Sequence, residues 1–396
     1  MSRMHWENKK QTNTEREEKA YRHWLHRMQT IGPQTIEKLL AVADAKELYT
    51  IDPKEVKAVL NAKQTEEFLR TRREGDVHAA YAKVKESGMQ FVTKEEPEYP
   101  ARLKLLKNAP YGLYYYGSLP ADSVPSVAII GARICSEYGR YMARVFGTEL
   151  GAAGVQVVSG MALGVDGIAQ KGALSAGGKS FGVLGSSADV CYPEEHRGLY
   201  EDLKIHGGVI SEYAPVTAPE AKFFPQRNRI IAGLADIVLV VEARKKSGTL
   251  ITVDLALEYG KDVFAVPGRV TDRLSDGCNF LIRQGAGIAF SPADVLEGLY
   301  GAGCLHGDPK RNRAAETEDA ADSETGFDRR LTLSPLEEAL TRIVDIEPVS
   351  VNMVHGRLLE KGLSVTVPAL MNTLVTMCLK GLLQQEGGYF CKRLGA

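Results

Sequence analysis

Residues 222–243 are KFFPQRNRIIAGLADIVLVVEA, an aromatic and basic segment that runs directly into a long apolar one. The apolar part predicts a strand at 236–243 that is covered on both faces, as in a parallel sheet. The basic and aromatic cluster therefore lies where this sheet is entered. Unstacked bases can stack on Phe while Arg holds the phosphates, so the segment suits a nucleic acid strand. A Phe pair in the core with solvated Arg neighbours is an equally weighted alternative.

The surrounding sequence extends this pattern over residues 127–290. Continuous apolar runs alternate there with segments of helical spacing, such as Met142, Phe146 and Leu150. The runs are VAIIG, VQVVSG, FGVLG, GVISEY, IVLVVEA, VFAVPG and GIAF. Alternation of this kind predicts an α/β fold with a doubly wound, mostly parallel sheet.

The two ends of the chain differ from this centre. Residues 1–85 carry a helical pattern broken at Ile31-Gly32-Pro33, which predicts a small helical domain, either a packing module or a helix-hairpin-helix. Residues 305–330 are polar and predict a linker between a central domain at 86–304 and a third domain at 331–396. In that third domain, a capping box at Ser334, three helices and a hairpin (LLQQE-GG-YFCKR) form a winged-helix pattern.

Bulk properties exclude several classes of protein. The formal net charge is -1, so a nucleic-acid site must be a local basic patch. Six scattered Cys without a close pair favour a reducing cytosol and argue against structural zinc. The polar N-terminus and the absence of a long apolar run predict a cytoplasmic protein without a membrane span.

Four strand-to-helix turns are candidate ligand contacts, because ligands of open α/β sheets bind at the carboxyl ends of the strands. In the first, Gly131 lets backbone N–H groups approach an anion and Arg133 adds a phosphate donor. The second is SGMALGVD at 159–166, with an acid, Asp166, suited to anchoring a loop. The third is SGTLIT at 247–252 after three basic residues, and the fourth is VPGR at 266–269.

Catalytic motifs are scarce in this sequence. It contains no GxSxG, HExxH or Walker motif. His196 and His206 are expected on the surface, and Glu212 and Glu242 are expected to bind loop N–H groups or pair with Arg. We therefore expect a protein that is not an enzyme and needs no metal or cofactor.

The motifs GAR, SGMALGVD, GSSADVCYP, FPQRNRIIAGL, SGTLIT and GCNFLIRQGA occur here in that order and at close spacing. Over residues 100–300 the chain resembles the DNA-processing protein A (DprA/Smf) family. The resemblance implies an extended Rossmann-like domain that binds single-stranded DNA, forms a homodimer and delivers DNA to the recombinase RecA during natural transformation. It also implies that the N-terminal domain (helix-hairpin-helix-like or SAM-like) and the winged-helix domain are accessory domains.

By motif, Gly131 and Arg133 fall on the family's phosphate contact and Phe224 on its base-contacting aromatic. Ala132 replaces the family's usual Ser, which removes a hydroxyl and leaves the backbone donors. With the turns described above, the complete set of candidate DNA contacts is Gly131, Arg133, Ser136, Gly160, Lys222, Phe223, Phe224, Arg227, Asn228, Arg229, Lys245, Lys246, Ser247, Gly248, Thr249 and Arg269.

Two other classes of function compete with this one. A phosphoribohydrolase acting on nucleoside monophosphates shares a Rossmann-type core, but its PGGxGT loop is replaced here by RKKSGTLIT. A winged-helix transcription regulator is disfavoured because the third helix of 331–396 is nearly uncharged, a poor composition for reading the major groove.

Overall fold

The computed structural model describes residues 17–301, 334–345, 349–386 and 389–392. The chain divides into two compact units, Met1–Pro309 and Lys310–Ala396. The predicted linker at 305–330 lies outside the described residues. The predicted boundary between residues 85 and 86 falls inside the first unit and stays a prediction.

The first unit is built on one nine-stranded sheet within residues 17–301. Its strands are β1 Gln90–Thr93, β2 Gly112–Gly117, β3 Ser126–Ile130, β4 Gln156–Ser159, β5 Ser180–Val183, β6 Gly207–Ser211, β7 Ile237–Val240, β8 Asp262–Ala265 and β9 Gly287–Ile288. Their spatial order is β1-β2-β6-β5-β4-β3-β7-β8-β9; pairs from β6 to β9 are parallel, and β1 and β2 join antiparallel at one edge. The seven predicted strands and the α/β class are confirmed.

Helices cover both faces of this sheet. Their bounds are α1 17–26, α2 Pro33–Leu40, α3 Ala45–Thr50, α4 Pro53–Val56, α5 Ala62–Arg73, α6 Val77–Glu86, α7 Ala101–Lys104, α8 Glu137–Ala152, α9 Val165–Ser175, α10 Arg197–His206, α11 Phe223–Leu234, α12 Thr249–Glu258, α13 Asp276–Arg283 and α14 Pro292–Gly301. Among the described residues, no helix has the length and apolarity needed to cross a lipid bilayer.

Strand β3 lies inside the sheet, and its apolar run Val127–Ile130 is buried on both faces. Val127 and Ile129 belong to the cluster formed with α8, α9 and α14. Ala128 and Ile130 belong to the cluster formed with α11 and α12 on the other face. Because successive side chains of a strand point to opposite faces, burial on both sides requires an unbroken apolar run.

The N-terminal helices pack on the β1–β2–β6 side of the same unit. Trp24, Leu25 and Met28 are buried, and Trp24 Nε1 donates to Thr71 Oγ1 at 3.1 Å. Helix α2 begins after Gly32 with Pro33 in its first turn, which confirms the predicted break. Their cluster continues into strand residues such as Tyr114, so these helices share a core with the sheet.

Two histidines in this core make stability depend on pH. Neither ring nitrogen of His23 has a hydrogen-bond partner in the described structure, and burial, with His26 and Arg27 nearby, lowers its pKa to about 3. Burial also lowers the pKa of His26 to about 4, although its Nε2 contacts the Glu212 carbonyl oxygen at 2.8 Å. Both pKa values are depressed below that of an unfolded His near 6.5, so the unfolded chain takes up the protons first.

We therefore expect the free energy of unfolding to fall as pH drops from about 6.5 towards 4, by at most about 1.4 kcal/mol per pH unit for each histidine. Substituting H23F keeps an aromatic ring beside Tyr81, Phe91 and Tyr114 and should remove one of the two contributions. Urea unfolding at several pH values measures the slope. The control H206F changes an exposed residue of α10 and should leave the slope as it is; an unchanged slope in H23F would contradict the assignment.

The second unit contains helices Pro335–Ile343, Val351–Glu360 and Val367–Leu379 and a sheet of the order β10-β12-β11. Strand β10 is Val349–Ser350, and β11 Leu383–Glu386 pairs antiparallel with β12 Tyr389–Lys392. Ser334 and Glu337 form the predicted capping box. The three predicted helices and the paired strands of the hairpin are confirmed; its Gly-Gly turn lies outside the described residues.

Candidate nucleic-acid interface

A groove of about 880 Å³ opens at the carboxyl ends of the parallel strands. It lies beside β3 and β7, the pair from which the strand order diverges in both directions. Such a switch point leaves a crevice, because the connections on its two sides turn away from each other. Eight predicted contacts line the groove: Gly131, Arg133, Phe224, Arg227, Asn228, Ser247, Gly248 and Thr249.

The turn after β3 forms one side of the groove. A Cβ on Gly131 would lie 2.7 Å from Val165 Cγ2, and a Cβ on Gly164 would lie 2.3 Å from the Ala132 carbonyl oxygen. Gly164 also has a φ of 77°, which favours glycine. The two glycines thus bring the turn against the start of α9. Arg133 projects from this turn, is exposed, and makes no ion pair within residues 17–301.

Phe224 lies at the start of α11 and is half-buried. A Cβ on Gly185 would lie 2.8 Å from its Cδ1, so the missing side chain at 185 makes room for the ring. Arg133 Cζ lies 5.3 Å from the ring centroid, a cation–π distance. The ring of Tyr192 lies 5.6 Å away, centroid to centroid. Phe224 therefore lies between the backbone of Gly185 and the guanidinium group of Arg133 at the groove.

Arg227 lies beneath the groove and is 5% exposed. Its Nη1 donates to the carbonyl oxygens of Gly160, at 2.8 Å, and Val183. Burial lowers its pKa to about 10, and the nearby Asp166 carboxylate opposes that shift. Asp166 accepts from the Gly160 N–H at 3.1 Å, and burial raises its pKa. Arg227 thus joins the ends of β4 and β5, and its guanidinium is already engaged inside the protein.

Another part of the groove lining is the segment before α12 together with the first residues of that helix. Thr249 Oγ1 donates to the Gly131 carbonyl oxygen at 3.3 Å, which joins this segment to the β3 turn. Helix α12 begins without a side-chain cap, and Ser247 Oγ is buried without a partner in the described structure. Arg244, which sequence analysis did not select, also lines the groove. It is exposed and has no ion pair among residues 17–301.

Other predicted contacts lie outside the groove lining. Ser136 caps α8, and its N–H and hydroxyl both donate to Glu242. Phe223 is buried against Tyr213, with ring centroids 4.2 Å apart, and Arg229 pairs with Glu212 at 2.6 Å. The remaining members of this set are Gly160, buried under Arg227; Lys222, paired with Glu220; Lys245, over the Phe280 ring; and the exposed Lys246 and Arg269.

For the acids and histidines, three expectations are confirmed and one is corrected. Glu242 binds the Ser136 N–H, and Glu212 pairs with Arg229, as predicted. His206 is exposed as predicted, but His196 is 9% exposed, so its surface assignment was wrong. Its Nδ1 lies 3.0 Å from the carbonyl oxygen of Met161. The prediction failed because the partner is a backbone atom 35 residues away. No sequence motif indicates such a contact.

The fold and the groove define a Rossmann-like α/β protein whose ligand site combines cationic groups with an aromatic ring. Residues 90–300 match the family model of DNA recombination-mediator protein A. The chain belongs to this family, and the predicted DprA/Smf relationship is confirmed.

Known relatives agree with this family. DNA processing protein DprA of Streptococcus pneumoniae is 43% identical over 200 residues, which are 50% of this chain and 70% of that protein. Protein Smf of Escherichia coli is 36% identical over 241 residues, 61% of this chain and 64% of the relative. The X-ray structure of the S. pneumoniae protein matches with a TM-score of 0.61 at 33% identity, over 70% of this chain and 97% of that one.

Proposed function

We propose that this protein binds single-stranded DNA in the groove at the β3–β7 switch point, without strong sequence preference. The observation that carries the proposal is the contact between Arg133 and Phe224, because it puts a phosphate donor and a base-stacking surface at one place. Arg244 and the uncapped start of α12 add further donors in the lining of the groove. Because these groups recognise charge and ring faces, they do not distinguish one base from another.

We further propose that the bound protein protects incoming DNA and loads RecA on it during transformation and recombination, acting as a cytoplasmic homodimer. Membership in a family of DNA recombination mediators supports this role. We propose no catalytic activity, since the carboxylate of Glu242, which follows strand β7, is already bound by Ser136. Release of free base from a nucleoside monophosphate would instead identify a phosphoribohydrolase.

We propose accessory roles for the two ends of the chain. The helical N-terminal region is proposed to be a small domain of the SAM or helix-hairpin-helix kind. The second unit is proposed to be a winged helix, because its three helices are followed by a hairpin. Its helix Val367–Leu379 carries no charged side chain, and Val367 and Leu379 are exposed. This composition favours contact with protein over contact with DNA.

A salt titration with the full chain tests DNA binding. We expect tight binding to an oligo-dT strand and weaker binding to a duplex of the same length. If Arg133 and Arg244 each neutralise one phosphate, the slope of log K against log salt concentration should be about -1.4, at about -0.7 for each contact. Fluorescence anisotropy between about 50 and 300 mM salt measures both quantities. Preference for duplex, or affinity that does not change with salt, would contradict the proposal.

A further inference from the structure

Tyr192 is an aromatic residue at the groove that none of the sequence motifs singled out as a contact. It lies in the loop that follows β5 and lines the groove. Its side chain is 42% exposed, and its ring plane is tilted by 40° to that of Phe224. The two rings therefore form a continuous aromatic wall in a groove that Arg133 and Arg244 also line.

We propose that Tyr192 is a second base-stacking residue, and that Tyr192 and Phe224 together set the preference for single-stranded over double-stranded DNA. This inference rests on the proposed function, because it assigns base contacts within the same groove. It adds the residues that discriminate between the two forms of DNA.

The spacing of the rings shows that each must take its own base. A base stacked between two rings needs about 7 Å between them, twice the usual contact distance of about 3.5 Å. The centroids of Tyr192 and Phe224 are only 5.6 Å apart. One base cannot enter between them, so the wall accommodates neighbouring bases of a strand side by side.

The presence of both cationic groups and aromatic rings in the groove explains the discrimination. Phosphates are accessible in both forms of DNA, so Arg133 and Arg244 can attract either one. The faces of the bases are free only in a single strand, because a duplex already stacks them. Phe224 is partly covered by Gly185 and Arg133. The exposed ring of Tyr192 therefore adds base-stacking surface to that of Phe224.

The test compares Y192A, Y192F, F224A and the Y192A/F224A double variant in the full chain. The ligands are a short oligo-dT strand, an abasic strand of the same length and a duplex. We expect Y192A to weaken binding to oligo-dT on the order of tenfold, to leave the duplex unchanged and to have no effect on the abasic strand. Y192F should bind as the parent does, and the effects of Y192A and F224A should multiply in the double variant.

The matched control is Y141A, which removes a tyrosine on α8 that is 37% exposed and does not line the groove. If Y192A binds oligo-dT as Y141A does while R133A binds weakly, Tyr192 is not a stacking residue and the groove assignment stands. If the double variant is no weaker than F224A alone, the two rings do not take separate bases. If R133A also binds as the parent does, the proposed function itself fails.

Discussion

Replacing Arg133 with Ala should weaken binding to single-stranded DNA about 10- to 100-fold. A hydrogen bond to a charged group contributes about 1.5–3 kcal/mol, and each 1.4 kcal/mol is a factor of ten. Arg133 is exposed, lacks an ion pair within residues 17–301 and lies over Phe224. If Arg133 holds a phosphate as proposed, its loss removes that contact from a position next to the stacking ring. Because the contact is to the backbone, oligonucleotides of different sequence should lose affinity about equally.

The salt dependence of binding tests whether Arg133 contacts a phosphate. The slope of log K against log salt concentration should become shallower by about 0.7 in the R133A variant. The control R140A removes an exposed arginine of α8 that pairs with Glu137 at 3.3 Å, and it should bind as the parent does. Parental affinity of R133A at moderate salt would show that DNA does not bind at this turn.

Replacing Arg227 with Met should lower the free energy of unfolding by about 2–6 kcal/mol, at about 1–3 kcal/mol for each of two buried acceptors that lose their donor. The substitution leaves the carbonyl oxygens of Gly160 and Val183 without their donor. It also removes the cation that opposes the burial of Asp166, so the pKa of this carboxyl, already raised, should rise further. Urea unfolding of the full chain measures the loss.

The pH dependence and a second substitution separate this explanation from general damage to the core. A carboxyl with a raised pKa destabilises the folded protein more as pH rises, so the difference between R227M and the parent should shrink towards acid pH. Adding D166N to R227M should restore part of the stability, because no buried charge then remains. If R227M unfolded at the same urea concentration as the parent, Arg227 would not hold the strand ends together.

The sequence sufficed to predict the sheet because its chemistry is local. A strand such as β3 is buried on both faces, so the run Val127–Ile130 had to be apolar and is recognisable in the sequence. The helix starts at Ser136 and Ser334 carry their own capping residues. The predicted site also depended on short motifs, and eight of its residues meet in the groove.

The remaining details depend on contacts between distant segments. Arg227 and Arg229 are two residues apart, yet one is tied to backbone carbonyls beneath the groove and the other to Glu212. Helical periodicity predicts that the two side chains point in different directions, but it does not predict which groups they contact. Tyr192 and Arg244 were not selected, although Tyr192 lies in the motif GSSADVCYP and Arg244 precedes the selected Lys245 and Lys246, because sequence spacing does not show which of these side chains reach the groove. Only the fold brings both to the groove.

The positions of the groove residues along the chain determine when the candidate site can form during synthesis. The β3 turn, Tyr192, Phe224 and the segment before α12 come from positions spread over more than a hundred residues. A nascent chain that has emerged from the ribosome only as far as β6 lacks both α11 and β7, and with them Phe224 and Arg244. Such a chain carries the Arg133 turn without Phe224 and Arg244, so under the proposed function we expect DNA binding only after the chain has emerged as far as the start of α12.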